Sequence, residues 1–288
     1  MLNIKKILLP VDFPNTSLHV IHQAAAIARH FRSEIVMLHV LTPQSHLAGV
    51  PESAPELARW DMLEEITRRA EESLDQTLRP ELEGLAIQCV LVRGAAAKVI
   101  VQLSQEEEAD LIMMPSSGPT FFQFLAGSAT AQLERGTGCP VWTDASAENL
   151  PAKEFAIRSV VCAVEFNPND HKSVPWAAQI AAEFDARLTL AHVTPGVERW
   201  GPGGIDENPR WKEELVSDAS QQIAELQNAM GTKADVFIGS GNVPALLNHA
   251  AKQTKADLLV TGCYPYGGRL RTHGYSIICA VPIPILNV

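Results

Sequence analysis

Asp12 closes an apolar run in Pro10-Val11-Asp12, and a Gly127-Ser128 pair opens the helical pattern Ala129–Arg135. Before that pair lies Pro115-Ser116-Ser117-Gly118, directly after the apolar run Leu111–Met114. A Gly-Ser pair at a helix start offers backbone N–H groups, a hydroxyl and the positive end of the helix dipole, which together suit a phosphate. In open α/β sheets ligands sit outside the carboxyl ends of the strands, where the strand order reverses. Residues just past Val11 and Met114 fall there if the first and fourth strands flank that point. A plainer reading stays open: Asp12 caps the turn into the next helix, and Gly127-Ser128 is an ordinary loop and N-cap.

Other chemistry-bearing groups are weaker. His39 and His192 end apolar runs and serve as structural hydrogen-bonding residues. His19 and His22 lie three apart on a helix pattern, but no Cys, Asp or Glu completes a ligand set by spacing. Gly-x-Ser-x-Gly, GxxxxGK[ST] and HExxH are absent, which removes the usual acyl-transfer, P-loop and zincin readings. Trp200 and Trp211 flank the loop Gly201–Pro209 and are read as local packing. Five scattered cysteines without a CxxC read as buried free thiols of a reducing cytoplasm. A net charge of −10, from 23 Lys+Arg against 33 Asp+Glu, leaves no broad footprint for nucleic acid. Arg68-Arg69 sits among glutamates and reads as a solvated helix face. No apolar run reaches the roughly 18 residues of a membrane span, and the N-terminus shows no signal-peptide pattern.

Short apolar runs alternating with amphipathic stretches must position these groups. In the first half the runs are Ile7–Val11, Ile35–Val40, Ile87–Val92, Leu111–Met114 and Pro140–Trp142. Such nearly uninterrupted Val/Ile/Leu runs are those of strands buried on both faces of a parallel sheet. Helix patterns lie between them at Leu18–Phe31, Arg59–Arg79 and Ala96–Glu107, with apolar residues three and four apart. The second half repeats the order with Val160–Val164, Leu188–Val193, Ala234–Ile238, Leu258–Thr261 and Pro284–Leu286. Ala145–Ala156, polar and holding Pro151, is the expected linker. The long loops Thr42–Pro55 and Thr194–Pro209 follow the second strand of each half.

The two halves are copies of one pattern. Ile7-Leu8-Leu9-Pro10-Val11-Asp12 returns as Val160-Val161-Cys162-Ala163-Val164-Glu165, and Phe31, His39 and Val40 meet Phe184, His192 and Val193 at the same offset. Further on Gly94 falls on Gly241 and Ala109-Asp110-Leu111-Ile112 on Ala256-Asp257-Leu258-Leu259. A period of about 150 residues is one domain, far above the roughly 20–50 residues of solenoid repeats. The expectation is an α/β fold of two repeated doubly wound domains, residues 1–148 and 149–288, each with right-handed crossovers.

On these residues each half resembles a universal stress protein domain, and the chain resembles a tandem member of that family. The matching pieces are Ile-Leu-Leu-Pro-Val-Asp, Leu38-His39-Val40, Gly94…Val99-Ile100, Ala109-Asp110-Leu111-Ile112 and Gly138-Cys139-Pro140-Val141. The resemblance implies a five-stranded parallel sheet per domain of the adenine nucleotide alpha hydrolase-like kind. It also implies pairing through the last strand, here between the two halves of one chain, with a homodimer as a further state. ATP-binding members carry Gly-x2-Gly-x9-Gly-Ser/Thr after the fourth strand. Here Pro115 replaces the first Gly, and eight residues separate Gly118 from Gly127. In the second half Gly262 is kept, but Pro265 stands for the next Gly, Tyr275 falls opposite Ser128, and Glu165 replaces Asp12. Gly267-Gly268, Arg269, Arg271 and His273 lie nearby and read as a solvated loop. The second site is therefore read as degenerate.

The function implied is a non-catalytic, cytoplasmic stress-response protein that binds ATP or a related adenine nucleotide in the first domain, with Mg²⁺ arriving on the nucleotide. The residues implied are Pro10, Val11, Asp12, Val40, Met114, Gly118, Gly127, Ser128 and Ala129. Asp12 and the strand-end backbone would meet ribose and adenine, Val40 the base, and Gly127-Ser128-Ala129 the phosphate. The alternatives are a nucleotide-free scaffold for protein partners and a slow ATPase.

Overall fold

Lys6–Val11 forms β1, whose Ile7, Leu8 and Leu9 are wholly buried. The computed structural model describes residues 2–11, 18–41, 81–115, 138–144, 155–195, 209–262 and 276–288, with Arg68 and Glu72. The chain divides into two units, built mainly on residues 3–144 and 156–288.

In the first unit β1 is followed by α1 (Leu18–Phe31), β2 (Glu34–Leu41), β3 (Ile87–Arg93), α2 (Ala96–Glu106), β4 (Leu111–Pro115) and β5 (Val141–Asp144). Its strands lie in the order β3-β2-β1-β4-β5, every neighbouring pair parallel. The order reverses between β1 and β4, as a doubly wound sheet requires. Parallel strands must be joined by crossovers, and α1 and α2 are two of these. α1 buries Ile21, Ala24, Ala25 and Ala28, whose spacing of three and four makes one stripe. It stops where Arg32 turns to a left-handed φ of 59°. On the flank of that stripe, beside Val20 and Ile27, Gln23 is buried and its Oε1 accepts from the buried Trp142 indole N–H at 2.7 Å, tying α1 to β5.

The second unit repeats the plan with β6 (Ser159–Ala163), α3 (Asp170–Glu183), β7 (Arg187–Thr194), α4 (Pro209–Met230), β8 (Asp235–Ser240), α5 (Val243–Thr254), β9 (Leu258–Thr261) and β10 (Ile285–Asn287). Its order is β8-β7-β6-β9-β10, again parallel throughout. Each strand the apolar runs indicate is present within one or two residues of the expected bounds. The chain is thus two repeated doubly wound domains, each with a five-stranded parallel sheet.

The central strand of each sheet is pinned at both ends by twin contacts. At its start, Asp110 Oδ2 accepts from the Lys5 and Lys6 amides at 2.7 and 2.9 Å. In the second unit Asp257 Oδ2 accepts from Arg158 and Ser159 at 2.7 and 3.1 Å. At its end, the His39 imidazole bonds the Val11 carbonyl at 2.9 Å and His192 bonds the Val164 carbonyl at 2.8 Å. A carbonyl only accepts, so Nδ1 carries the proton in both rings.

Three expectations need correction. Strands β3 and β8 end their sheets, and every residue on them is exposed or half-buried rather than buried on both faces. Cys89 on β3 is exposed for that reason, as is Cys279 on the short helix 276–280. Cys139 is half-buried, and only Cys162 of the described cysteines is fully buried. Trp211 is 45% exposed, so it does not pack as expected. Arg68 is exposed and pairs with Glu72 one helical turn on, as a solvated face should. The rest of 59–79, the linker to 154 and the loop 42–55 lie outside the described residues.

Gln23→Leu leaves the Trp142 N–H buried without its acceptor. The expected outcome is a loss of about 1–3 kcal/mol, measured as a lower urea midpoint at unchanged m-value.

Candidate functional site

The carboxyl ends of β6 and β7 open on a cavity of about 330 Å³. Ala163 and Val164 line it from the β6 end, Ala191, His192 and Val193 from β7, and Val243 and Leu247 from the first turns of α5. Glu165 and Pro195 complete the wall. Most lining residues are apolar in type, with one carboxylate and one imidazole among them, but polar atoms make up about half of the surface.

α5 reaches the cavity because the chain turns sharply after β8. Gly241 holds φ at 130°, a region that strains residues bearing a Cβ. Asn242 then caps the helix, its Oδ1 accepting from the Ala245 amide at 3.0 Å. Gly94 makes the matching turn before α2 at φ 154°, where a Cβ would fall 2.9 Å from Val99 Cγ2.

The loop from β6 to α3 shapes the other wall. Asp170, 1% exposed, takes the Glu165 amide at 3.2 Å and the Asn167 amide at 3.1 Å. The Phe166 amide bonds it as well. Burial pushes the Asp170 carboxyl above the usual carboxylate range, while these amides and His192 pull it back. Phe166 sits at φ 57°, and its ring lies against the His192 imidazole with centroids 4.2 Å apart. Asn167 Nδ2 donates to Glu165 Oε2 at 3.2 Å and steadies the carboxylate at the cavity wall. Beneath the loop Cys162 is wholly buried, and burial followed by the nearby Asp170 charge drives its thiol far up. It is a packing thiol and no nucleophile.

The first unit places Pro10, Val11, Val40 and Met114 at the carboxyl ends of β1, β2 and β4, around the reversal of strand order. Pro10, Val11 and Met114 are buried, whereas Val40 is half-exposed. Asp12, Gly118, Gly127, Ser128 and Ala129 lie outside the described residues, as do Pro265, Gly267, Gly268, Arg269, Arg271, His273 and Tyr275. Gly262 is buried at the end of β9. His22 bonds Glu81 through Nε2 at 2.6 Å and so joins α1 to the turn before β3. Among the described residues no group of three or more His, Cys, Asp and Glu is placed to hold a metal. No helix among them is long and apolar enough to cross a membrane.

Sequence reasoning missed the second-domain cavity and the role of Asp170. A signal for the cavity existed: Val164, Glu165 and Val193 are the twins of Val11, Asp12 and Val40, and Leu247 is the twin of Ile100. Nothing in the spacing marks Asp170, whose twin is Ser17.

Residues 3–143 and 156–272 match a family model described as the universal stress protein family. A universal stress protein of Methanocaldococcus jannaschii is 29% identical over 140 residues, which cover 48% of this chain and 79% of that protein. A second from the same organism is 26% identical over 151 residues, covering 48% and 92%. The crystal structure of a universal stress protein from Archaeoglobus fulgidus matches 99% of this chain and 96% of its own, with a TM-score of 0.66. At 18% identity that likeness speaks for the fold.

Thiol burial sets an order of reactivity, because the thiolate is the attacking form. Burial pushes Cys139 up to about 12 and Cys162 higher. Iodoacetamide at pH 8 should label Cys89 and Cys279 in the folded protein, and Cys139 and Cys162 only after denaturation, read by peptide mass spectrometry.

Proposed function

The chain belongs to the universal stress protein family, and on that premise we propose that it is a non-catalytic stress-response module binding an adenine nucleotide at its strand ends. In the first domain the binding set is Pro10, Val11, Asp12, Val40, Met114, Gly118, Gly127, Ser128 and Ala129. The strand-end backbone and Asp12 take the ribose and base, Val40 packs on the base, and Gly127-Ser128-Ala129 hold phosphate. Mg²⁺ keeps most of its water and its phosphate ligands, so it arrives with the nucleotide.

One observation carries this reading. The second domain has a cavity of about 330 Å³ lined by the twins of Val11, Asp12 and Val40. That position in the fold makes a cavity of base-and-sugar size from strand ends together with the first turns of α5. It supports the assignment of the same strand ends in the first domain, where Val40 is half-exposed and Pro10, Val11 and Met114 are buried. Buried side chains there leave the backbone to do the recognition.

Native mass spectrometry with added ATP tests it. The expected result is one nucleotide per chain, lost in Gly127→Trp. A chain that stays bare at millimolar ATP would overturn the reading in favour of a nucleotide-free scaffold, and steady release of ADP by the wild-type chain would favour the slow ATPase.

A further inference from the structure

The two repeats carry opposite charges at matching places on one edge of their sheets. That edge is the one where the strands begin, at the opposite end from the cavity. Arg32, Glu34 and Glu108 of the first domain stand where the second has Asp185, Arg187 and Lys255, so each of the three reverses its sign. The helix end leading into β4 reads Gln105-Glu106-Glu107-Glu108, and its twin before β9 reads Lys252-Gln253-Thr254-Lys255. The backbone is alike in both domains. Arg32 and Asp185 turn at φ 59° and 51°, Glu108 and Lys255 at φ 50° and 51°.

In each domain these charges gather at the start of the central strand. Lys6 of β1 stands in register with Glu34, and its Nζ lies 2.8 Å from Glu107 and 3.9 Å from Glu34. The Glu108 charge acts on the same ammonium. In the second domain Ser159 takes the place of Lys6, in register with Arg187 and bonded through Oγ to the Thr254 carbonyl at 3.0 Å. The edge is net negative in the first domain and net positive in the second. Arg32 and Glu108 on one edge, and Asp185, Arg187 and Lys255 on the other, are exposed. Among the described residues none of these five forms an ion pair.

Helix stability accounts for only one of the two edges. Cations are favoured near a helix C-terminus and anions are disfavoured there, because the dipole ends negative. Lys252 and Lys255 at the end of α5 follow that preference, while Glu106 and Glu107 at the end of α2 oppose it. The acidic edge therefore answers to something outside its own domain.

We propose that the two edges are halves of a self-association surface, the acidic edge of the first domain in one copy docking on the basic edge of the second domain in another. Sign reversal within a repeat leaves two faces alike in backbone and complementary in charge, and one chain carries both. A contact between unlike faces closes into a two-fold pair, in which it forms twice, or continues as an open chain. The net charge of −10 sets copies against each other in most orientations, and the opposed edges select the approach that is attractive. Arg32 and Asp185, each of minority sign on its edge, add a register. A copy docked out of place sets Arg32 against Arg187 or Lys255. This surface is independent of the nucleotide reading.

Sedimentation equilibrium of the full chain tests it. At about 10 mM salt the Debye length is about 30 Å, and wild type should associate reversibly. At about 0.1 M it is about 10 Å, and the dissociation constant should weaken at least ten-fold. Arg187→Glu with Lys255→Glu makes both edges acidic and should abolish association. Glu34→Arg with Glu108→Lys makes both edges basic and should do the same. Mixing the two variants, or placing all four substitutions in one chain, should restore it. A wild-type chain that keeps the mass of one copy at low salt overturns the proposal. So does a mixture of the two folded variants that stays apart. Association that persists in Arg187→Glu/Lys255→Glu is held by another surface and overturns it too. That variant breaks no ion pair, and its new glutamate at φ 51° has a precedent in Glu108 at φ 50°. It decides the matter even if Glu34→Arg, beside Lys6, fails to fold.

Discussion

The position of the central strand governs everything above it. β1 and β6 are each held at the start by one aspartate accepting two amides and at the end by one histidine bonding the carbonyl that closes the strand. A one-residue slip of a strand exchanges its two faces. In a sheet covered on both faces such a slip is not punished by exposing apolar groups, since both sides are apolar. Register then has to come from hydrogen bonds at the ends. The aspartate does this from the residue just before β4 or β9 and the histidine from β2 or β7, so three adjacent strands are locked together where the order reverses. Whatever binds at that reversal depends on strand ends that cannot drift.

Much of this was legible. Uninterrupted apolar runs located all ten strands of the described residues, since a parallel sheet buried on both faces leaves few polar positions in its strands. Ile21, Ala24, Ala25 and Ala28 marked the buried stripe of α1, and Leu18–Phe31 is its span. The repeat placed His39 and His192 as twins, and their bonds to Val11 and Val164 are the structural role expected of them. Edge exposure was not legible. Ile87–Arg93 reads like any inner strand, yet β3 lies at the end of its sheet, and order within a sheet is a tertiary fact. Cys89 is exposed as a consequence.

The candidate site was legible by half. Glycine-serine chemistry drew attention to the first domain, because phosphate recognition uses residue types that stand out. A pocket for a ring and sugar is made of Val, Ala and Leu at strand ends, and these look like any core. Val193 is 8% exposed and Leu247 only 1%, so their place on a cavity wall follows from where α5 begins, not from their type. Gly241 and Asn242 decide that beginning.

Asp170 was illegible for a different reason. By sequence it is an acidic residue in the first turn of a helix, which the dipole alone accounts for. Its weight comes from bonds to residues before the helix, formed because Phe166 adopts φ 57°. A bulky residue in that region costs on the order of 1–3 kcal/mol and persists only where its surroundings over-determine it. The surroundings are visible: Asp170 holds the amides on either side, and the displaced ring finds the His192 face. That histidine is the same one that closes β6. The strained loop, the buried carboxylate and the strand lock are therefore one connected device, and Glu165 stands at its tip. Where the first repeat has Asp12 and Ser17, the second has Glu165 and Asp170. One difference lies in the loop and the other on the first turn of α3, where its carboxylate holds the backbone amide of the first.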